Sequence, residues 1–251
     1  MLSKRHADIL DILEAEGSAT IAALAGRLGV SLETVRRDVR PLTEAGRVVR
    51  IHGAVGLAGR IGEAPFEKRM RENAGPKRAI ARAVAATIRD GESVMFDTGT
   101  TTSFVARELM NHRRLTVITN SSDIARTLAT VNGNRVYMAG GELTSDSGAA
   151  FGKSALDFIA QFTVHHAIIS AGAVNEDGVM DYALEEAEFA RLVLSHGQRR
   201  VVVTDHTKFG RRGLIAVAGW DELGEIVTDR PPDAAIAASL AAAGAKLTLA
   251  P

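Results

Sequence analysis

Several residue types and patterns are missing from this chain of 251 residues, which contains no cysteine, one tryptophan and two tyrosines. The absence of cysteine excludes disulfides and thiolate metal sites, and it fits a reducing compartment. Basic and acidic residues number 30 each, so binding to nucleic acid would require a local basic patch. The charged N-terminus does not resemble a signal peptide, and no apolar run approaches the roughly 18 residues of a membrane helix. We therefore expect a cytoplasmic protein with no membrane partner.

The first sixty residues predict a small DNA-binding domain. Apolar residues recur at helical spacing in three segments, and Thr20 and Ser31 can cap the second and third helices. Gly29 supplies a tight turn between those two helices. The third helix leaves four polar side chains on its outer face: Thr34, Arg36, Arg37 and Arg40. Two helices joined by a glycine turn, with arginines on the second, are typical of a helix-turn-helix.

The stretch "RVVRIHGAVGL" that follows predicts a β-hairpin wing with its turn near His52. Three residues of this stretch are candidate phosphate contacts: Arg47, Arg50 and His52. Ser31, at the start of the third helix, is a further candidate DNA contact. The alternative is a small subdomain whose arginines are only solvated. Pro41 lies inside the third helix and predicts a kink or an early end there. Residues 1–57 are thus predicted to form a winged helix-turn-helix.

The rest of the chain predicts a linker and an α/β domain. Residues 58–75 begin rich in glycine and then become charged, which indicates a linker with a short helix at Pro65–Glu72. In residues 76–251, helical stretches alternate with seven apolar runs: "ESVMF", "LTVIT", "NRVYMA", "HHAIISAG", "RRVVVT", "GEIVT" and "AKLTLA". This alternation favours a mostly parallel sheet covered on both faces.

Polar loops follow five of these strands, where ligands of α/β sheets bind. The first loop, "FDTGTTTS", places a glycine and three threonines at a helix start, which favours an anion such as phosphate. A single Asp-Thr-Gly does not make an aspartic protease, because that site needs two aspartates. Neither the phosphate-loop spacing ending in Gly-Lys nor the G-x-G-x-x-G fingerprint occurs. A small phosphorylated ligand is therefore favoured over a nucleotide.

The sequence resembles the DeoR family of bacterial transcription regulators. The N-terminal stretch "VSLETVRRDVRPLTEAGRVVRIHGAV" carries this resemblance. The C-terminal part is similar to the DeoR sensor domain, which is related to ribose-5-phosphate isomerase. The resemblance implies that Thr34, Arg36, Arg37 and Arg40 lie on the helix that enters the major groove.

The resemblance also implies roles in the sensor domain. Thr98, Gly99, Thr100, Thr101 and Thr102 would hold a phosphate. The sugar end of the phosphorylated ligand would contact three places: the stretch "SAGAV", which contains Gly172, the side chain of Glu186, and the stretch "DHTKFG". Asp97 would bind a hydroxyl, and Lys208 the negative charge or hydroxyls of the ligand. The other effector candidates come from the same loops: Asn120, Ser121, Gly141 and Asp205.

No catalytic residue, cofactor or metal site is expected. The isomerases carry acidic residues directly after the Gly-Ala, and Ala173–Asn175 replace them here. His165 and His166 are adjacent on a strand, so they point to opposite faces and do not form a metal pair.

The resulting hypothesis is a ligand-responsive repressor that binds operator DNA as a homodimer or homotetramer. The stretches "AGGEL", "LDFIAQF" and "VVTDHTKFGRRGL" resemble the glycerol 3-phosphate branch of the family, so sn-glycerol 3-phosphate is the first expectation for the effector. Other three- to six-carbon phosphates remain alternatives. The rival hypotheses are an isomerase-like enzyme with an appended DNA-binding domain and a DNA-binding protein that responds to no ligand.

Overall fold

The chain folds into two structural units. The computed structural model describes residues 3–16, 18–51, 54–57 and 63–251. The first unit is Met1–Ala64 and the second is Pro65–Pro251. The domain and linker limits expected from the sequence stay predictions.

The N-terminal unit packs three helices against a small sheet. Its elements are α1 (Lys4–Glu16), β1 (Ser18–Thr20), α2 (Ile21–Leu28), α3 (Leu32–Glu44), β2 (Val48–Ile51) and β3 (Ala54–Leu57). The caps are those predicted: the Thr20 hydroxyl accepts from the Ala23 amide at 3.0 Å, and the Ser31 hydroxyl accepts from the Thr34 amide at 3.1 Å. Apolar residues at helical spacing form the core, including Ile9, Leu13, Leu24, Val35, Val39 and Leu42, all fully buried.

The predicted wing is a hairpin, and the sheet around it has one strand more than expected. Strands β2 and β3 pair antiparallel, with Ile51 opposite Ala54. The unpredicted β1 pairs with the other side of β3. His52, the third candidate phosphate contact, lies outside the described residues.

Helix α3 continues past Pro41 to Glu44, so the early end predicted from that proline is wrong. Pro41 is exposed, and the next residue, Leu42, is fully buried and anchors the last turn in the core. The Thr43 hydroxyl donates to the Val39 carbonyl at 3.0 Å across the same turn. Proline so near the end of a helix removes one donor and leaves little helix to break.

The C-terminal unit alternates strands and helices. The helices are α4 (Phe66–Arg71), α5 (Ala74–Ala85), α6 (Thr100–Glu108), α7 (Ser122–Leu128), α8 (Lys153–Ile159), α9 (Leu184–Ser195) and α10 (Ala234–Ala243). The strands are β4 (Ser93–Phe96), β5 (Thr116–Thr119), β6 (Arg135–Met138), β7 (Val164–Ser170), β8 (Ala173–Asn175), β9 (Gly178–Asp181), β10 (Gly197–Val203), β11 (Ile215–Ala218), β12 (Glu225–Thr228) and β13 (Lys246–Leu249).

Seven strands form one parallel sheet within residues 63–251, all of which are described, and each was predicted from its apolar run. Their order is β13-β12-β10-β7-β4-β5-β6. Side chains alternate between two cores: Met95 packs on the face covered by α8, α9 and α10, whereas Val94 and Phe96 pack on the face covered by α5, α6 and α7. The sheet is thus buried on both faces.

Two features of this unit differ from the sequence predictions. The stretch "SAGAVNEDGVMD" was expected as a polar loop, but it forms the hairpin β8–β9, which pairs with β11 in an antiparallel sheet. Helix α5 begins at Ala74, three residues before the predicted helical stretch, with Pro76 in its first turn. Proline is tolerated there because first-turn N–H groups have no intrahelical partner.

Among the described residues, none of the helices combines the length and the apolar character required to cross a membrane.

The ion pair between Arg5 and Asp38 generates a prediction about pH. The Arg5 guanidinium donates to both Asp38 carboxylate oxygens, and this hydrogen bonding lowers the pKa of Asp38. The ionised carboxylate therefore stabilises the fold fully above the unfolded-state pKa of about 4, and this contribution is lost as the pH falls through the lower folded-state pKa. We expect Asp38→Asn to lower the melting temperature at pH 6 and to have a smaller effect near pH 2, measured by calorimetry.

The control is Asp11→Asn, because Asp11 is an exposed acid on α1. Equal destabilisation by Asp38→Asn at both pH values would contradict the ion-pair explanation.

Candidate functional site

The N-terminus of α6 lies at the edge of the sheet where the parallel strands end. Gly99 precedes the helix, and Thr100, Thr101 and Thr102 form its first turn. All three threonines are buried, at 5%, 5% and 0% exposure. The Thr102 hydroxyl donates to the Gly99 carbonyl at 3.0 Å, so this threonine closes the turn. The turn therefore presents backbone amides and hydroxyls in a site shielded from solvent.

Asp97 braces this turn against β7. Its carboxylate oxygens accept from the Ser170 amide at 3.1 and 3.0 Å and from the Ser170 hydroxyl at 3.3 Å. A Cβ atom at Gly99 would lie 2.1 Å from the Ser170 hydroxyl oxygen and 2.6 Å from its Cβ. Only glycine allows this approach, because no real side chain tolerates such distances. We name Asp97, Gly99 and Ser170 the strand-end brace.

Burial raises the pKa of Asp97 well above its usual range. Hydrogen bonds from Ser170 act in the opposite direction, and the nearby charge of Asp181 raises the pKa further. Burial outweighs the donors because a charged carboxylate loses its hydration there. The Asp97 carboxyl group is therefore harder to ionise than that of an exposed aspartate.

Three buried polar atoms near the loops after β4 and β5 have no hydrogen-bond partner among the described residues: Thr98 Oγ1, Ser103 Oγ and Asn120 Oδ1. Ser103 and Asn120 are fully buried. Unpartnered buried polar atoms are rare and costly, so their presence points to a ligand or an ordered water in this region.

Asn120, Ser121 and Gly141 meet around Ala149–Ala150. The Asn120 amide nitrogen donates to the Ala150 carbonyl at 2.9 Å, and Ser121 forms a β-bridge with Ala149. Gly141 has φ of 151° and faces the Ala150 Cβ. The structure thus joins the predicted site residues of two loops, those after β5 and β6.

The other predicted residues lie in the loops after β7 and β10 and at the start of α9. Gly172 packs against Asp181 and Tyr182, and Glu186 is in the first turn of α9. Asp205 is 2% exposed, and Lys208 ends the short 3₁₀ turn that Asp205 begins.

Sequence reasoning missed the part played by Ser170, Asp181 and Asn73. Asn73 donates from its side-chain amide to the Asp205 carboxylate at 3.3 Å. These contacts span 73 to 132 positions in the sequence, and no local pattern marks them. In the sequence, Ser170 stands out only as the first residue of "SAGAV".

The outer face of α3 is exposed, as predicted. Arg36 and Arg40 keep 58% and 78% of their side chains exposed, and Arg37 is exposed too. Arg36 lies 3.4 Å from Glu33 and Arg40 lies 2.9 Å from Glu44. Arg47 and Arg50 of the wing are also exposed. The unit therefore presents a local basic surface despite the neutral chain.

His165 and His166 point to opposite faces of β7. His165 is exposed and accepts from the Ser93 amide at 3.1 Å, whereas His166 is 7% exposed and lies 2.8 Å from Glu92. No cluster of three metal-ligating side chains occurs among the described residues.

Two surface cavities, of about 640 and 530 Å³, lie elsewhere, around Arg200 and Glu222. No predicted effector residue lines either one.

A winged helix-turn-helix joined to a parallel α/β unit defines the class of a ligand-sensing DNA-binding regulator. The chain belongs to the DeoR family of transcriptional regulators, because residues 5–60 match its DeoR-like helix-turn-helix domain and residues 72–230 match its C-terminal sensor domain. It is a DNA-binding repressor with a sugar-phosphate sensor domain, and it is not an enzyme. The isomerase rival is thereby excluded.

Several relatives match nearly the whole chain, among them two repressors of Escherichia coli K12. The repressor CsqR of Escherichia coli K12 is 35% identical, covering 94% of this chain and 91% of CsqR. The glycerol-3-phosphate regulon repressor of the same strain is 31% identical, covering 93% of each protein. The resemblance to this family inferred from the sequence is confirmed.

Among solved structures, ribose 5-phosphate isomerase A from Neisseria gonorrhoeae matches 54% of this chain and 53% of its own, with 17% identity and a TM-score of 0.40. A likeness at this level carries no argument about chemistry.

The strand-end brace predicts a paired substitution. Gly99→Ala should destabilise the protein by about 1–3 kcal/mol, because its Cβ overlaps Ser170 and the turn must shift. Replacing Ser170 by glycine in the same chain removes both clashing atoms. The double variant should therefore be more stable than Gly99→Ala alone, as measured by urea denaturation.

Gly75→Ala is the matched control, because a Cβ there meets no atom within 4 Å. Equal stability of Gly99→Ala and the wild type would show that the brace is looser than described.

Proposed function

We propose that the C-terminal unit binds a small phosphate ester at the N-terminus of α6, and that this ester controls operator binding by the N-terminal unit. The observation that carries the proposal is the buried threonine turn Thr100–Thr102 beside unpartnered polar atoms at the carboxyl edge of the sheet.

Helix geometry supports an anion at this position. The first amides of α6 point out of the helix, and the helix dipole favours negative charge there. The loop contains no lysine, so the compensating positive charge is assigned to Lys208, in the loop after β10. The Asp97 carboxyl group is assigned to the hydroxyl end of the ester.

The first candidate for the effector is sn-glycerol 3-phosphate. One relative is a glycerol-3-phosphate regulon repressor, and the stretches "AGGEL" and "VVTDHTKFGRRGL" favour this branch. CsqR is slightly more similar over the same length, so identity alone does not separate glycerol 3-phosphate from other three- to six-carbon phosphates. The experiment below compares them.

In the N-terminal unit, α3 is assigned to the major groove and the wing to phosphates. Ser31, Thr34, Arg36, Arg37 and Arg40 belong to α3 and its cap, whereas Arg47 and Arg50 belong to the wing. The ion pairs of Arg36 and Arg40 with Glu33 and Glu44 must open for these arginines to reach DNA. One such unit buries too little surface for high specificity, which supports a homodimer or homotetramer on the operator.

The ester can change operator affinity only if it binds two conformations of the protein unequally. Effector binding must therefore favour a conformation whose affinity for operator differs from that of the unbound protein.

The effector site is tested by substituting Thr101 and Lys208. Thr101→Val and Lys208→Ala should each weaken ester binding about tenfold or more, because each removes a hydrogen bond to a charged group. Calorimetry with sn-glycerol 3-phosphate, ribose 5-phosphate and glycerol measures the binding, and operator affinity without ester should be unchanged.

Lys153→Ala serves as the control, because Lys153 is an exposed lysine of α8 paired with Asp157. If no ester both raises the melting temperature and alters operator affinity, the proposed function is wrong.

The DNA interface is tested on an operator selected by the wild-type protein from a random DNA library. Arg36→Ala should cost about 1–3 kcal/mol and relax the preference at one base pair. Arg47→Ala should weaken binding to all sequences and reduce the salt slope by about one. Fluorescence anisotropy measures both affinities, and analytical ultracentrifugation of the complex counts the chains.

Arg113→Ala in the C-terminal unit is the control for lost charge, since Arg113 is exposed. If the Arg36 and Arg47 variants kept full operator affinity, the assignment of α3 and the wing to the DNA interface would be wrong. If a single chain bound the operator, the proposed homo-oligomer would be wrong.

A further inference from the structure

The segment from Phe66 to Asn73 comprises α4 and the turn into α5, and it is the first part of the C-terminal unit that the chain forms after leaving the N-terminal unit. We call it the relay segment. Three of the contacts that hold it in place are made with elements assigned above to the effector site.

The first contact is at the start of α4. The Phe66 amide donates to both carboxylate oxygens of Asp146, at 3.1 and 3.2 Å. Asp146 belongs to the loop after β6, which also contains Gly141. An acceptor on the first amides of a helix satisfies a donor that has no partner within the helix. The position of this loop therefore affects where α4 begins.

The second contact is at the end of the relay segment. Asn73 has φ of 52° and ψ of 32°, a left-handed conformation that turns the chain from α4 into α5. Its side-chain amide donates to the Asp205 carboxylate at 3.3 Å and to the Thr207 hydroxyl at 3.5 Å. Asp205 and Thr207 belong to the loop that carries Lys208.

The third contact is with α6 itself, against which α4 packs. Phe66 is 6% exposed and Met70 packs on the same core as Phe104 and Val105 of α6. The buried Lys77 ammonium donates to the Arg69 carbonyl at 2.6 Å, which closes the C-terminal end of α4. The relay segment is thus bonded at both ends and packed along its length.

We infer that the relay segment transmits effector binding to the DNA-binding unit, with Asp146 and Asn73 as the positioning residues. This inference rests on the proposed function. An ester at the α6 turn draws in the loops after β6 and β10, and these loops hold the two ends of the relay segment. A change in the loops therefore moves the segment from which the chain continues to the N-terminal unit.

The first test is hydrogen exchange on the full chain with sn-glycerol 3-phosphate and, separately, inorganic phosphate. Slower exchange in both the α6 turn and residues 66–73 supports the inference. Slower exchange in the α6 turn alone would overturn it and leave the proposed function intact. Unchanged exchange in both places would count against the proposed function for these two anions, and the second test then decides the inference alone.

The second test needs no ester. Asp146→Ala and Asn73→Gly should each change affinity for the selected operator roughly fivefold or more, because coupling energies between sites are commonly of this size. Glycine is used at position 73 because it keeps the left-handed conformation while removing the amide. Operator affinity equal to the wild type in both variants would overturn the inference.

Two matched variants separate this role from simple stability. Asp146→Asn keeps an acceptor for the Phe66 amide, and Glu142→Ala removes an exposed acid from the same loop. Both should bind operator within about twofold of the wild type. If Glu142→Ala or Asp146→Asn matched Asp146→Ala in its effect, loss of charge or of loop stability would explain the change and the inference would fail.

Discussion

The parallel direction of the seven strands is the constraint on which the C-terminal unit depends. Parallel strands need a crossover between them, so every strand-to-helix loop emerges at the same edge of the sheet. The pairing of β4 with β7, in the register of Phe96 with Ile168, brings Asp97 to Ser170 across 73 positions of sequence. The α6 turn, the loops after β5 and β6, and the loop that holds Lys208 leave the same edge of the sheet for this reason. Each strand therefore contributes a loop whose position the sheet determines, while its residues remain free to differ.

The apolar runs of the sequence predicted all seven strands of this sheet because strands of a parallel sheet covered on both faces are rich in apolar residues, and even the partly buried edge strands β6 and β13 keep such a run. The small sheet β8–β9–β11 was missed for the opposite reason. Its strands have three or four residues each, and β9 finds its partner β11 more than thirty residues later. Pro41 misled in a similar way. Its local cost is real, but Leu42 packs in the core and holds the last turn of α3, and the helical spacing of Val35, Val39 and Leu42 outweighs the proline.

The sequence predicted where the candidate site lies better than it predicted what each side chain does there. The position of "FDTGTTTS" after an apolar run indicated a ligand loop, and the structure places its threonines in the first turn of a helix. The sequence could not show that Asp97 is already engaged by Ser170, that Thr102 closes its own turn, or that Asn73 reaches Asp205. These are long-range or geometric facts. They show that several side chains of the predicted set are already engaged within the protein.

The contact between Gly99 and Ser170 also limits how this sensor can evolve. A side chain at position 99 requires a smaller residue at position 170, so a substitution at Gly99 depends on one at Ser170. The distance between the α6 turn and β7 is then the invariant part of the sensor. Regulators built on this frame would acquire new effectors by drift in the loops after β6, β9 and β10, where insertions and substitutions leave the contact untouched. Under the proposed function, the fixed end of the site would keep the class of ligand constant, while the variable end would separate one metabolite from another.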